Sequence, residues 1–171
     1  MTSALEPSRI EHDLLGDFPV PVAAYYGVHT ARAAKNFPIS GIEPKSHPVS
    51  TNALAAVKQG SAATNRDPGL LDRPKARPKA RPKARAIIAA CEDIRAGRLR
   101  KHFILDMIQG GAGTSTNMNA NEVIANKALE HLGRLRGEYR HLHQLQDVNL
   151  GQSTNEKWPV PPAPGRVEKT S

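Results

Sequence analysis

The residues best suited to chemistry lie in one glycine-rich segment, residues 109–122, with the sequence QGGAGTSTNMNANE. Its glycines let backbone N–H groups approach a ligand closely, and a helix start just after them adds partial positive charge. Thr114 and Ser115 contribute neutral hydrogen-bond donors. The segment is neither a P-loop nor a G-x-G-x-x-G dinucleotide loop. Its composition suits a carboxylate or phosphate, and equally a tight turn with a polar helix cap.

A second polar cluster, residues 149–156, has the sequence NLGQSTNE and uses similar side chains. Ser153, Thr154 and Asn155 all carry neutral donors. Two such patches can hold the two ends of a small dicarboxylate without burying a second full charge. Taken alone, QSTN is more typical of a turn than of a binding site.

The elements that must position these clusters are predicted to be mainly helical, with one small β-hairpin over residues 9–21 around Gly16-Asp17. Apolar spacing, alanine content and stop signals predict helices over residues 22–37, 52–65, 85–97 and 119–133. In the last helix, Asn119 is expected to act as the N-cap, Glu122 to complete a capping box, and Gly133 to end the helix.

The net charge of +8 is local in origin. Seven of the 24 basic residues lie in residues 73–85. The rest of the chain has 17 basic and 16 acidic residues and is therefore nearly neutral. This stretch holds three RPKA copies, and a proline at every fourth residue predicts an extended, solvated, polyproline-like arm. Because no aromatic residue is interleaved to stack on bases, a copied repeat without function is favoured over a nucleic-acid-binding arm.

The single cysteine, Cys91, excludes an internal disulfide and a Cys-rich zinc site, and is expected to be a small buried thiol. The N-terminus has no apolar leader, and no run of 18 apolar residues occurs in the sequence. A cytoplasmic protein that contacts no membrane is therefore expected.

The two polar clusters carry a family resemblance. QGGAGTSTNMNANEVIANKALEHLG is similar to a segment shared across the aspartase/fumarase superfamily, and DVNLGQSTN resembles the second shared block of that superfamily. Residues 9–40 resemble its N-terminal region, and the similarity extends to residue 159 apart from the RPKA copies and residues 44–50. Fumarases usually have a serine at the position of Ala112, so the resemblance favours an ammonia-lyase over a hydratase.

The resemblance implies the mainly α fold of the superfamily's N-terminal helical domain, with a small β-hairpin and without the central helix bundle. Residues 1–140 would form this domain and contain the extended insertion 73–85. Residues 141–158 would begin the central helical domain. Residues 159–171 do not resemble the family and are expected to be disordered.

The resemblance further implies reversible elimination of ammonia from L-aspartate to give fumarate, by a homotetramer without cofactor or metal. Thr114 would bind a substrate carboxylate with Ser115 beside it. Ser153, Thr154 and Asn155 would hold the other polar groups of the substrate.

The family's catalytic base is a serine in a loop of the form G-S-S-x-M-P-x-K-x-N, and the sequence contains no such loop. A Thr-His pair from the family's central domain is also absent. Gln144 replaces a proline, Glu156 replaces an aspartate, and the sequence loses the likeness after Pro159. We expect a frameshift followed by early termination, and a chain that has no activity alone.

Three other functions remain open on the sequence. The first is a fumarate hydratase-like lyase of the same superfamily. The second is a module that binds nucleic acid weakly through the RPKA arm. The third is a non-catalytic partner that joins the oligomer of an intact homologue.

Overall fold

The computed structural model describes residues 6–66, 77–109, 111 and 113–153. These residues are mainly helical and include one two-stranded antiparallel sheet, as predicted. Several sequence predictions lie outside the described residues, namely those for the first RPKA copy at 73–76, Ala112, Thr154, Asn155 and the tail 159–171. None of the helices within the described ranges is long and apolar enough to cross a membrane.

The predicted hairpin is confirmed, with strands β1 (Ser8–Asp13) and β2 (Gly16–Pro21) paired so that Glu11 faces Phe18. The connecting turn is Leu14-Leu15 rather than Gly16-Asp17. Gly16 opens β2 with a φ of 98°, a value that favours glycine.

Helix α1 (Val28–Asn36) begins six residues later than predicted. The Arg9 guanidinium explains the late start, since it donates to the carbonyls of Pro21, Ala24 and Tyr26 at 2.9, 2.9 and 2.8 Å. These carbonyls point to Arg9 instead of accepting bonds within a helix.

Helices α2 (Pro48–Arg66) and α3 (Arg77–Arg95) pack against each other, and both extend beyond their predicted starts. Their facing side chains form one apolar core that includes Leu54, Ile87 and Ile94. Cys91 is fully buried in this core, as predicted, and burial raises the pKa of its thiol to about 12.

The prediction of an extended RPKA arm is wrong for residues 77–85, which form the first turns of α3 with Pro82 inside the helix. Pro78 falls in the first turn, where a backbone N–H has no helical partner to lose. Pro82 removes a single backbone hydrogen bond, and packing of Ala84, Ala86 and later residues offsets that loss. Lys83 is not a solvated basic side chain, because its Nζ lies 2.8 Å from Asp147 Oδ2.

Helix α4 (Thr114–His131) lies at the centre of the core and contacts α1, α2 and α3. Val123, Ile124 and Leu129 are fully buried. Gly133 follows the helix with a φ of 69°, as expected of a glycine that ends a helix. Single 3₁₀ turns at Pro44–Ser46 and Arg100–His102 and a π-helical turn at Gln144–Val148 complete the described secondary structure.

Candidate functional site

The glycine-rich segment forms a tight turn that leads directly into α4. Gly111 and Gly113 have φ values of 76° and 83°, which L side chains rarely adopt. The Gly111 carbonyl accepts from the Thr114 N–H at 3.0 Å and from the Thr114 hydroxyl at 2.5 Å. The turn thereby fixes where the Thr114 side chain lies.

Thr114 and Ser115 are the first two residues of α4, and both are half-buried. From Thr116 onward the helix is buried over several turns. The two hydroxyls therefore lie at the accessible, partially positive end of an 18-residue helix. Such an end can bind a carboxylate, as the composition of the loop predicted.

Gln109 fixes the start of α4 from the other side of the turn. Its Oε1 accepts from the Thr116 N–H at 2.8 Å, and its Nε2 donates to Thr116 Oγ1 at 2.6 Å and to the Asp106 carbonyl at 2.9 Å. The Gln109 amide thus serves as the N-cap side chain, which Gly113 cannot supply.

We predict that Gln109→Ala lowers the free energy of unfolding by about 1–2 kcal/mol, because a cap and two further hydrogen bonds are lost. Urea unfolding followed by circular dichroism measures the change. Gln59→Ala, which removes a surface amide bonded to Arg95, is the matched control and should change stability by less than about 0.5 kcal/mol. Equal effects of the two substitutions would contradict the capping role of Gln109.

The predicted capping box at Asn119 and Glu122 is wrong, because α4 begins five residues before Asn119. Asn119 is fully buried and its Nδ2 donates to the His102 carbonyl at 3.0 Å. Glu122 accepts from the N–H groups of Gly27, His29 and Thr30 at 2.8, 2.9 and 3.1 Å. Glu122 therefore caps α1, a different helix.

Asp106 fixes the segment that precedes the glycine-rich turn. Its carboxylate accepts from the N–H groups of Ile39, Ser40, Gly41 and Ile108, at 3.1, 2.5, 2.8 and 2.7 Å, and from the Ser40 hydroxyl at 2.6 Å. The Ser40 hydroxyl, together with these backbone donors, holds the pKa of Asp106 well below its usual range. An ionised Asp106 joins the two loops next to the site.

The second predicted cluster is described only as far as Ser153, which is exposed. The four residues before it are tied to α2 and α4, because Asn149 Oδ1 accepts from Lys58 Nζ at 2.6 Å and from Asn121 Nδ2 at 3.4 Å. The structure therefore attaches the start of this cluster to the helix that carries Thr114 and Ser115.

The sequence patterns did not identify Lys58 or Asp106 as parts of the site, and they included Gln109 in the glycine-rich segment without giving it a role. Lys58 is a lysine on a helix of mixed polarity, and the other two precede the glycines as ordinary polar residues. The roles of Lys58 and Asp106 depend on partners far away in the chain. Lys58, for example, is separated from its partner Asn149 by 91 positions in the sequence. Only the contact between Gln109 and the start of α4 is local enough for a sequence signal.

Comparison with known proteins gives a family match over most of the chain. A family model described as "Lyase" matches residues 16–161. This range includes the glycine-rich loop and the second polar cluster.

Curated relatives named aspartate ammonia-lyase align with the chain across most of its length. The protein from Pseudomonas aeruginosa is 50% identical over 158 residues, covering 92% of this chain and 32% of the relative. The protein from Bacillus subtilis is 43% identical over 160 residues, covering 94% of this chain and 32% of the relative. The chain thus spans about a third of the length of the curated relatives it matches.

Solved structures share the fold. The fumarate lyase:delta crystallin of Brucella melitensis in native form is 48% identical with a TM-score of 0.79, covering 87% of this chain and 33% of that one. A class II fumarase from Schistosoma mansoni is 34% identical with a TM-score of 0.72, covering 87% and 29%.

Proposed function

The chain belongs to the lyase family, and from this premise we propose a function for its glycine-rich loop. The loop binds a substrate carboxylate in the conversion of L-aspartate to fumarate and ammonia. The observation that carries the proposal is the placement of the Thr114 and Ser115 hydroxyls at the accessible start of α4. The names and 50% identity of the aligned relatives support aspartate as the substrate.

The two polar clusters divide the substrate between them. Thr114 and Ser115 hold the carboxylate next to the carbon that loses its proton, and Ser153, Thr154 and Asn155 hold the remaining polar groups. Loss of that proton gives a doubly charged enediolate, so charge builds up on the carboxylate in the transition state. The Ser115 hydroxyl and the partial positive charge at the start of α4 stabilise this charge, and the Thr114 hydroxyl joins them by turning its proton from the Gly111 carbonyl to the carboxylate.

Turnover needs a base, and in this proposal the family's serine loop supplies it from outside these 171 residues. In this proposal, assembly into the family's tetramer also depends on residues outside these 171. The 171-residue chain by itself therefore binds a dicarboxylate weakly and forms no fumarate. The absence of fumarate formation can be tested by incubating the chain with L-aspartate and measuring the ultraviolet absorbance of fumarate.

The binding role of Thr114 can be tested with succinate, an unreactive dicarboxylate. In an ¹⁵N-labelled chain, we expect succinate to shift the amide resonances of Thr114 and Ser115. We expect Thr114→Val to weaken succinate binding by about tenfold, the value of one hydrogen bond to a charged group. Shifts that avoid Thr114 and Ser115 altogether would refute the proposed site.

Thr64→Val is the matched control, because the Thr64 hydroxyl also donates to a backbone carbonyl, that of Gly60, on an exposed part of α2. We expect Thr64→Val to leave succinate binding unchanged.

The alternative function, a fumarate hydratase-like lyase, is supported by the likeness to the class II fumarase. Stronger competition by L-malate than by L-aspartate would favour that alternative.

A further inference from the structure

Lys58 is fully buried, with 0% of its surface exposed, although it carries an ammonium group. Burying an ammonium is strongly unfavourable unless good hydrogen bonds compensate. Lys58 Nζ lies 2.6 Å from Asn149 Oδ1 and 3.0 Å from Gln152 Oε1. Charge-assisted bonds of this kind hold their partners more firmly than neutral ones.

These two acceptors lie in the segment of residues 149–153, which ends at Ser153. Asn149 also donates from Nδ2 to the Gln152 carbonyl at 3.0 Å, and the Gln152 N–H donates to the Asn149 carbonyl at 3.1 Å. A second α2 side chain, Asn65, donates to the Leu150 carbonyl at 3.0 Å. The segment is therefore a closed turn held on α2, with Lys58 as its buried anchor.

The same Asn149 oxygen that accepts from Lys58 also lies near α4. Asn117 Nδ2 and Asn121 Nδ2 approach it at 3.5 and 3.4 Å. Asn117 and Asn121 follow Thr114 by three and seven residues, a spacing that places all three on one face of the helix. The segment that carries Ser153 thus packs on the helix face that begins at Thr114.

We propose that Lys58 is a positioning residue that sets the spacing between the two clusters of the dicarboxylate site, Thr114 and Ser115 on one side and Ser153 on the other. The inference rests on the proposed function for its ligand. Lys58 acts through Asn149 and Gln152 and does not contact the substrate.

The first test needs no ligand. In Lys58→Met, which keeps the chain length and removes the ammonium, we expect amide hydrogen exchange at residues 149–153 to rise by about tenfold. Exchange at Ile124, in the buried middle of α4, should change by less than about twofold. Unchanged exchange at 149–153, or an equal rise at Ile124, would overturn the positioning role.

Two further variants keep the test decisive. Lys35→Met removes an exposed lysine from α1 and should leave exchange at 149–153 unchanged. If Lys58→Met does not fold, Gln152→Ala removes one of the described acceptors of Lys58 from a half-buried position, and we expect exchange at 149–153 to rise by about threefold. No rise at 149–153 in Gln152→Ala would overturn the proposal.

The second test compares succinate with acetate, which has only one carboxylate. In Lys58→Met, we expect the preference for succinate over acetate to fall by about tenfold, while acetate still shifts Thr114 and Ser115 as in the original chain. A preserved succinate preference would overturn the inference. An original chain that does not respond to succinate would instead refute the proposed function, and the exchange measurement still decides the role of Lys58.

Discussion

Replacement of Glu122 by alanine is expected to lower the free energy of unfolding by about 3–5 kcal/mol. The carboxylate is fully buried and accepts three N–H groups at the start of α1, from Gly27, His29 and Thr30. It also accepts from the Thr30 hydroxyl at 2.6 Å. Alanine would leave these four donors, three of them buried, without this acceptor and would create a cavity beside them.

Replacing Glu122 by glutamine, a neutral residue of nearly the same shape, separates the effect of its charge on stability from the effect of its shape. Burial raises the pKa of Glu122, while the Thr30 hydroxyl and the Gly27 N–H oppose the rise. Glu122→Gln keeps one acceptor oxygen but turns an NH₂ group toward a backbone donor. We therefore expect it to cost about 1–2 kcal/mol, less than the alanine variant.

Urea unfolding followed by far-ultraviolet circular dichroism measures both variants against Glu92→Ala, which removes an exposed glutamate from α3. The control should change stability by less than about 0.5 kcal/mol. If Glu122→Ala were no more destabilising than Glu92→Ala, the carboxylate would not be the cap that holds α1 on α4.

The kinds of secondary structure, and their order, could be predicted from local patterns. The hairpin, the four helices and the glycine that ends α4 are all confirmed. The family resemblance drawn from the glycine-rich segment is also confirmed by the match over residues 16–161. These features depend on apolar spacing and glycine positions, which a single sequence displays.

The helix starts could not be predicted as well, because side chains outside each helix and tertiary packing decide them. Arg9 draws three carbonyls away from helix formation just before α1. Gln109 caps α4 before residues of poor helix propensity, Thr114 and Ser115, so the helix begins earlier than composition indicated. Pro82 within α3 is a third case, where packing outweighs local preference.

The candidate site was predictable only where it is exposed and local. Thr114 and Ser115 stand out because polar hydroxyls follow glycines directly. Lys58 does not stand out and Glu122 was assigned to the cap of the wrong helix, since a charged residue on a helix is usually solvated and the burial of both depends on partners more than 90 residues away. The residues proposed to bind could be picked out from the sequence, and the residues that hold them in place could not.

Replacement of Asp106 by asparagine is expected to lower the protection of the Ser40 and Gly41 amides from hydrogen exchange by roughly a hundredfold near neutral pH. The ionised carboxylate accepts both N–H groups, and asparagine offers them a single neutral oxygen. Because Asp106 also bonds the Ile108 N–H, the loosening should extend toward Gln109. Asp17→Asn, at an exposed position in β2, is the control and should leave this protection unchanged.

The pH dependence of amide protection is a second measurement that tests the Asp106→Asn prediction. Hydrogen bonds from the Ser40 hydroxyl and neighbouring N–H groups depress the pKa of Asp106 in the folded chain. Its contribution to stability is therefore complete above the unfolded value of about 3.9 and is lost as the pH falls through the lower folded value. The difference in protection between the original chain and Asp106→Asn should persist at about pH 4 and shrink below it. A difference that stays constant down to strongly acidic pH would show that asparagine acts through shape alone, and that the charge of Asp106 does not hold the loop in front of the site.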